Sequence, residues 1–308
     1  MKNVVVTGGA GFIGSHLSEE LARREYQVII LDNLSTGRME NIELLLKGEN
    51  TEFVQGSITD LPLLQKLFQN VHYVFHQAAI PSVPRSVERP LASHEANITG
   101  TLNVLLAARD NGVKKVVCAS SSSVYGDTLT LPKREDMTPT PQSPYAVTKL
   151  AGEHYCRVFQ EVYGLHTACL RYFNVFGPRQ NPDSQYAAVI PRFIKRLSQG
   201  RPPVILGDGE QSRDFTFIRD AVEANILAAG GDASGVFNIA GGNRITINGL
   251  AKLVGNIMGK NMEAIHHEPR PGDIRHSQAD ICKAKTWGYE PTYGLEEGLK
   301  QTVREFPA

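Results

Sequence analysis

The 308-residue sequence predicts an α/β protein with a doubly wound parallel sheet over residues 1–172, rejoined by segments near 212–240, and a smaller α/β C-terminal lobe over 173–308. Three observations predict it. An apolar run at residues 3–7 leads into glycines Gly8, Gly11 and Gly14. Apolar strand-like runs then alternate with helical patterns, and proline and glycine clusters become frequent from Gly177-Pro178 onward. Strands separated by helices pair in parallel through right-handed crossovers.

The first strand, the glycine turn and a helix from Phe12 to Arg24 form the opening unit. Gly8 permits the turn, Gly11 lets backbone approach a pyrophosphate, and Gly14 lets helix and strand pack closely. Phosphates would sit on the free N–H groups of the helix start. A second strand, Gln27 to Leu31, ends in Asp32, whose carboxylate can accept from an adenosine ribose and repel a 2′-phosphate. This is a Rossmann-type dinucleotide site that favours NAD over NADP. Arg38 either tolerates the extra phosphate or opens the next helix at the surface.

Further strands are expected at Thr51–Gln55, Val71–His76, Lys115–Ala119 and Thr167–Tyr172, with helices near Leu61–Gln69, Leu91–Asn111 and Tyr145–Tyr163. Ligands in open α/β sheets bind at the carboxyl ends of strands, so the segments after each strand should line the site. Asp60 either reaches an adenine amino group or caps the following helix. Gln77, Ala78 and Ala79 leave room for a cofactor against the backbone or for close helix packing. Asn97, polar within an apolar helix, needs a partner and bonds either neighbouring backbone or the cofactor site.

The chemistry is expected from Ala119–Gly126, ASSSSVYG, and from Tyr145–Lys149, YAVTK. A phenol titrates at about 10 when unperturbed and is a poor base at neutral pH. A lysine at i+4 shares its helix face, stabilises the phenolate and can bond a cofactor ribose. A serine hydroxyl from the cluster would bridge the substrate hydroxyl and the tyrosine.

Thirty-two basic residues balance thirty-two acidic ones, which gives no electrostatic pull toward nucleic acid or anionic lipid. No apolar run is long enough to span a bilayer and no leader pattern opens the chain, so a cytoplasmic protein without membrane partners is expected. Cys118, Cys156, Cys169 and Cys282 have no CxxC spacing, and the nine histidines no HExxH-like spacing. Reduced, buried thiols and no metal site are the expectation.

The motifs TGGAGFIG (7–14), SSSSVYGD (120–127), SPYAVTK (143–149), RYFNVFGPRQ (171–180), GDGEQSRDF (207–215) and EPRPGD (268–273) are carried together over nearly the whole length. With them the chain resembles the extended short-chain dehydrogenase/reductases, and within these the NAD-dependent UDP-hexose 4-epimerases. The resemblance implies Ser121, Tyr145 and Lys149 as catalytic residues, with Ser123 as a second hydroxyl near the sugar. It implies Asn174, Val189, Arg213, Arg270 and Asp273 as contacts to the UDP-sugar, the arginines suiting a diphosphate by their planar forks. It adds Phe12, Ile13, Asn33, Ile58 and Tyr172 to the NAD-binding set of Gly8, Gly11, Gly14, Asp32, Asp60, Gln77, Ala78, Ala79, Asn97, Tyr145 and Lys149. The implied reaction removes the C4 hydroxyl proton and hydride, lets the 4-keto sugar swing about its diphosphate, and returns the hydride to the other face.

Related dehydratases and decarboxylases carry a Glu, often after an Asp, just before the VYG tripeptide, where this chain has Ser122 and Ser123. A uronic-acid 4-epimerase is the other enzymatic rival and usually lacks an Asn at the position of Asn174. A non-catalytic NAD-binding scaffold would have no use for the Ser, Tyr and Lys set. Pro81 stands where bacterial glucose/galactose epimerases tend to have lysine, and SVPRSVERP from Ser82 is closer to the N-acetylhexosamine enzymes. Ser277, four residues past Asp273, replaces a pocket-closing tyrosine and leaves space for an N-acetyl group. The apolar excess on the two long helices predicts a homodimer through a four-helix interface, as relatives form.

Overall fold

The computed structural model describes residues 2–182, 188–269 and 274–306. Its elements, in chain order, begin β1 (Asn3–Thr7), α1 (Phe12–Arg23), β2 (Gln27–Asp32), β3 (Thr51–Gln55), α2 (Leu61–Leu67) and β4 (Tyr73–His76). There follow α3 (Val83–Glu88), α4 (Pro90–His94), α5 (Gly100–Asp110), β5 (Lys115–Ser121), α6 (Pro144–Tyr163) and β6 (His166–Tyr172). The rest comprises β7 (Val175–Phe176), α7 (Val189–Ser198), β8 (Val204–Leu206), β9 (Ser212–Asp214), β10 (Thr216–Phe217), α8 (Ile218–Gly230), β11 (Gly235–Ile239), β12 (Arg244–Thr246), α9 (Ile247–Ile257), β13 (Ile265–His267), α10 (Cys282–Lys285) and α11 (Leu295–Arg304).

Seven strands form one parallel sheet in the order β3-β2-β1-β4-β5-β6-β11. The chain winds outward from β1 in one direction through β2 and β3, and then returns to lay β4, β5 and β6 on the other side. The crevice between β1 and β4 is therefore the switch point where ligands bind. Gly235–Ile239 adds the seventh strand beside β6, after the chain has already built part of the C-terminal lobe.

Side chains alternate across the sheet and define its two faces. Val4, Val6, Val117, Ala168 and Leu170 join the core under α1 and α8, whereas Val5, Val116, Cys118 and Cys169 join the core under α5 and α6. Both faces are covered, which explains why these strands read as continuous apolar runs. Ser143 caps α6 through its Oγ to the Ala146 N–H, Pro144 opens the helix, and Gly164 closes it at φ 72°.

The expected single helix from Leu91 to Asn111 is interrupted. Between α4 and α5 lies a π-helical turn, Glu95–Thr99, in which the chain is wound wider by a residue. Asn97 lies in that turn. The expected strand at Lys115–Ala119 runs two residues further, to Ser121, so the sheet itself delivers the serine segment.

Candidate active site

The turn after β1 is built for close approach. Gly8 has φ +68°, and a Cβ there would lie 2.7 Å from the Ala78 backbone; a Cβ on Gly14 would collide with the Gly8 carbonyl. Gly11 N–H bonds the Gly8 carbonyl at 3.1 Å. These glycines, Phe12 and Ile13 line one wall of a cavity of about 870 Å³ along the carboxyl ends of the strands.

Asp32 ends β2 with its carboxylate buried. It accepts the Ala10 N–H (3.0 Å) and the Leu34 N–H (2.8 Å), and Gly37 leaves the space that the carboxylate fills. Burial raises its pKa, while the two backbone donors oppose the rise. Asn33, Ile58, Gln77, Ala78 and Ala79 share the cavity wall, as does Arg38. Gln77 donates to Asn225 Oδ1 (2.9 Å), whose amide donates to the Tyr172 hydroxyl (2.7 Å); burial raises the Tyr172 pKa. Tyr172 also faces the cavity.

Two expected cofactor contacts sit elsewhere. Asp60 is exposed at the start of α2, where it accepts the Leu63 N–H at 3.0 Å, and it is not on the cavity wall. Asn97 is 3 % exposed, and the partners that its helix position called for are protein groups. Its Oδ1 accepts the Ile80 N–H (2.8 Å) and its amide donates to Thr148 Oγ1 (3.0 Å) and the Ile80 carbonyl (3.3 Å). It therefore ties the loop after β4 to α6 rather than touching the cavity.

Tyr145 and Lys149 line the same cavity. Lys149 Nζ donates to the Ala119 carbonyl at 2.8 Å and stands 5.9 Å from the Tyr145 ring centroid. Tyr145 N–H bonds Ser86 Oγ at 3.0 Å, which fixes the first turn of α6 against α3. The serines divide their work. Ser120 lines the cavity but its Oγ donates to Glu153 at 2.5 Å, whereas Ser121 and Ser123 are half-buried, bonded to each other at 2.9 Å, and set back from the cavity lining.

Beneath this segment lies a network the sequence reading did not single out. Arg171 and Glu153, each with a side chain 4 % exposed, form a two-armed pair through Nε–Oε1 (2.8 Å) and Nη2–Oε2 (2.7 Å). The guanidinium lies 4.6 Å from the Tyr125 ring, and the Tyr125 hydroxyl donates to Asn238 at 2.7 Å. A charged residue inside an otherwise apolar strand was the available signal, because such a residue is buried only when paired. Glu153, four residues past Lys149, continues the same face of α6.

Asn174, Val189 and Arg213 share a second cavity of about 290 Å³. Asn174 takes φ 39°, a left-handed conformation that asparagine tolerates, and its amide donates to the Asp214 carbonyl at 2.7 Å. Arg213 Nη1 donates to the Ser212 carbonyl at 3.0 Å. Arg270 and Asp273 lie outside the described residues. Ser277 is 7 % exposed and lines neither cavity; its N–H bonds the Ser212 carbonyl at 3.0 Å, so it packs against β9. The structure also gathers Cys118, Cys156 and Cys169, which sequence spacing left scattered.

Residues 4–240 match the model of the NAD dependent epimerase/dehydratase family. The chain belongs to that family. Epimerase/dehydratase relatives match it over nearly their full length. The structure of a UDP-N-acetylglucosamine 4-epimerase from Methanobrevibacter ruminantium, in complex with UDP-N-acetylmuramic acid, is 45 % identical, covers 99 % of this chain and 98 % of its own, and superposes with a TM-score of 0.96. That of a UDP-glucose 4-epimerase from Thermotoga maritima with UDP-glucose is 42 % identical, with coverage of 99 % and 98 % and a TM-score of 0.94. A UDP-glucuronate 4-epimerase of Thermodesulfobacterium geofontis is 38 % identical over 309 residues, 97 % of this chain and 94 % of that one. The cofactor of this family member is NAD, which the glycine turn and the buried Asp32 fit. No helix among the described residues is long and apolar enough to cross a membrane.

Proposed function

We propose that the chain is an isomerase that reversibly epimerises UDP-hexoses at C4, acting on UDP-glucose/UDP-galactose and also on UDP-GlcNAc/UDP-GalNAc. The observation that carries the reading is that Tyr145 and Lys149 line the same cavity as the glycine turn, with Lys149 bonded to the Ala119 carbonyl at the start of a serine segment that contains no Asp or Glu. NAD, when bound, supplies a reversible acceptor at C4. The turn shaped by Gly8, Gly11 and Gly14 would receive its pyrophosphate, and Asp32 would accept from its adenosine ribose.

In this account Tyr145 takes the C4 hydroxyl proton, Lys149 stabilises the phenolate, and Ser121 orients the hydroxyl, with Ser123 beside it. Asn174, Val189 and Arg213 hold the UDP moiety, with Arg270 and Asp273 completing the set. Tight nucleotide contacts let the 4-keto sugar turn over without leaving. Residues 1–172, with the segments near 212–240, serve the cofactor, and 173–308 serve the nucleotide sugar. The N-acetyl substrates are supported by the 45 % identical N-acetylglucosamine enzyme.

The same reading includes a homodimer. Leu91 on the short α4 and Val147, Val158 and Val162 on the long α6 are 84, 49, 38 and 65 % exposed, an apolar excess that a two-fold partner would cover. Incubating the enzyme with each UDP-sugar and following products by NMR tests the activity. Formation of the C4 stereoisomer without NADH, water or carbon dioxide release is expected. Turnover of UDP-glucuronate alone, or loss of water or carbon dioxide, would replace this reading by a rival.

A further inference from the structure

The densest group of metal-ligating atoms outside the cofactor cavity, among the described residues, is a set of three thiols inside the sheet–helix core. Cys118 on β5 and Cys169 on β6 are register partners on neighbouring parallel strands. Each stands on the strand face that meets α6, and α6 sets Cys156 against them from above. The three Sγ atoms lie within 4.8 Å of one another, and the residues are 5, 2 and 1 % exposed for Cys118, Cys169 and Cys156.

The geometry is close to that of a metal bowl. Metal–sulfur bonds of about 2.3 Å in a tetrahedral arrangement put sulfurs roughly 3.8 Å apart, so a contraction of about 1 Å or less closes the set. His76, the nearby buried histidine, spends both ring nitrogens on Thr7 Oγ1 (2.8 Å) and Thr101 Oγ1 (2.9 Å), so it is not a free fourth ligand. Three sulfurs without a hard oxygen ligand select soft ions over Mg²⁺ or Ca²⁺.

We propose that Cys118, Cys156 and Cys169 bind one soft divalent cation of the zinc and cadmium class as a three-thiolate site joining β5, β6 and α6. Each sulfur that starts as a thiol releases its proton to solvent as its bond to the metal forms, and no redox change occurs. The site lies one residue before Ala119, the carbonyl that anchors Lys149, so an ion there couples the core to the catalytic lysine.

Cadmium is the probe, because its thiolate charge-transfer absorbance in the near ultraviolet reports sulfur ligation directly. Reduced, chelator-treated protein is titrated with CdCl₂ under native conditions until the signal is constant, and melting is followed in parallel. One Cd²⁺ per chain with a raised Tm is expected. The signal should vanish in Cys156→Ala and in Cys169→Ala and persist in Cys282→Ala, with NAD binding used to verify that each variant is folded. No charge-transfer band on the native protein, or a band that survives Cys156→Ala and disappears with the exposed Cys282, would overturn the proposal.

Discussion

Glu153→Gln removes one negative charge while keeping the side chain's shape, and the structure says what that costs. The carboxylate faces three donors, Ser120 Oγ and Arg171 Nε and Nη2, at 2.5, 2.8 and 2.7 Å, in a core where both side chains are 4 % exposed. Gln leaves the guanidinium buried without its counter-charge, against the Tyr125 ring. Breaking such a pair on one side costs about 3–5 kcal/mol, a large share of the roughly 5–15 kcal/mol that holds a domain. Equilibrium urea unfolding measures it, and the same chain provides a control. Arg157 and Glu161 form an ion pair on α6 with side chains 61 and 57 % exposed, so Glu161→Gln should cost less than about 1 kcal/mol. Replacing both buried partners, as Glu153→Leu with Arg171→Met, should recover much of the loss, because no orphaned charge remains. A Glu153→Gln loss as small as that of Glu161→Gln would refute the claim that this pair holds the serine strand end.

Tyr145→Phe should lower kcat by roughly 10²–10⁴-fold while NAD still binds, read by steady-state turnover and cofactor titration; wild-type kcat would remove the assigned base. Gly8→Ala should weaken NAD binding sharply and lower Tm, since the added Cβ meets the Ala78 backbone at 2.7 Å and φ +68° disfavours alanine; calorimetry showing unchanged affinity would contradict the cradle. Burial raises the Asp32 pKa above its unfolded-state value, so the protonated form is favoured in the fold relative to the unfolded chain. That contribution to stability is full below the unfolded-state pKa and is lost as pH rises through the folded one. A ribose donates to the carboxylate, so NAD affinity should increase with pH across that window, with proton release on binding; a pH-independent Kd would count against Asp32 as the ribose acceptor. Ser277 packs against β9 and lines neither cavity, so Ser277→Tyr should cost about 1–3 kcal/mol by overpacking and, in enzyme that still folds, lower kcat/KM for the N-acetyl and hexose pairs alike. Selective loss of the N-acetyl pair would contradict this placement and show that the position guards the sugar pocket.

What could be read from the sequence was local in origin. Gly8, Gly11 and Gly14 announce themselves by spacing, Asp32 by ending an apolar run, and Tyr145 with Lys149 by sharing a helix face, and these are the features the fold places around one cavity. Six strands of the parallel sheet were legible for the same reason, because buried strands and amphipathic helices alternate, whereas the seventh, Gly235–Ile239, was foreseen only as a return of segments near 212–240. The illegible parts depend on what the fold brings together from distant positions. Asp60 and Asn97 are polar residues whose partners turn out to be the Leu63 N–H, the Ile80 backbone and Thr148. Cys118, Cys156 and Cys169 converge only because two strands register and a helix crosses above them. Ser277 was placed by counting along a loop, and the loop turns it against β9 instead of toward a cavity. The π-helical turn at Glu95–Thr99 has no marker in an otherwise regular helical pattern.

The central claim is that one enzyme-held cofactor takes the C4 hydrogen and gives it back to the same sugar. The most direct measurement mixes UDP-galactose deuterated at C4 with unlabelled UDP-GlcNAc and follows both product pairs by mass spectrometry and NMR. The account predicts that deuterium stays at C4 of the UDP-glucose formed, with none in UDP-GalNAc, none lost to water and no free NADH. Deuterium washed into solvent, transferred to the acetylated product or accumulated as free reduced cofactor would contradict it.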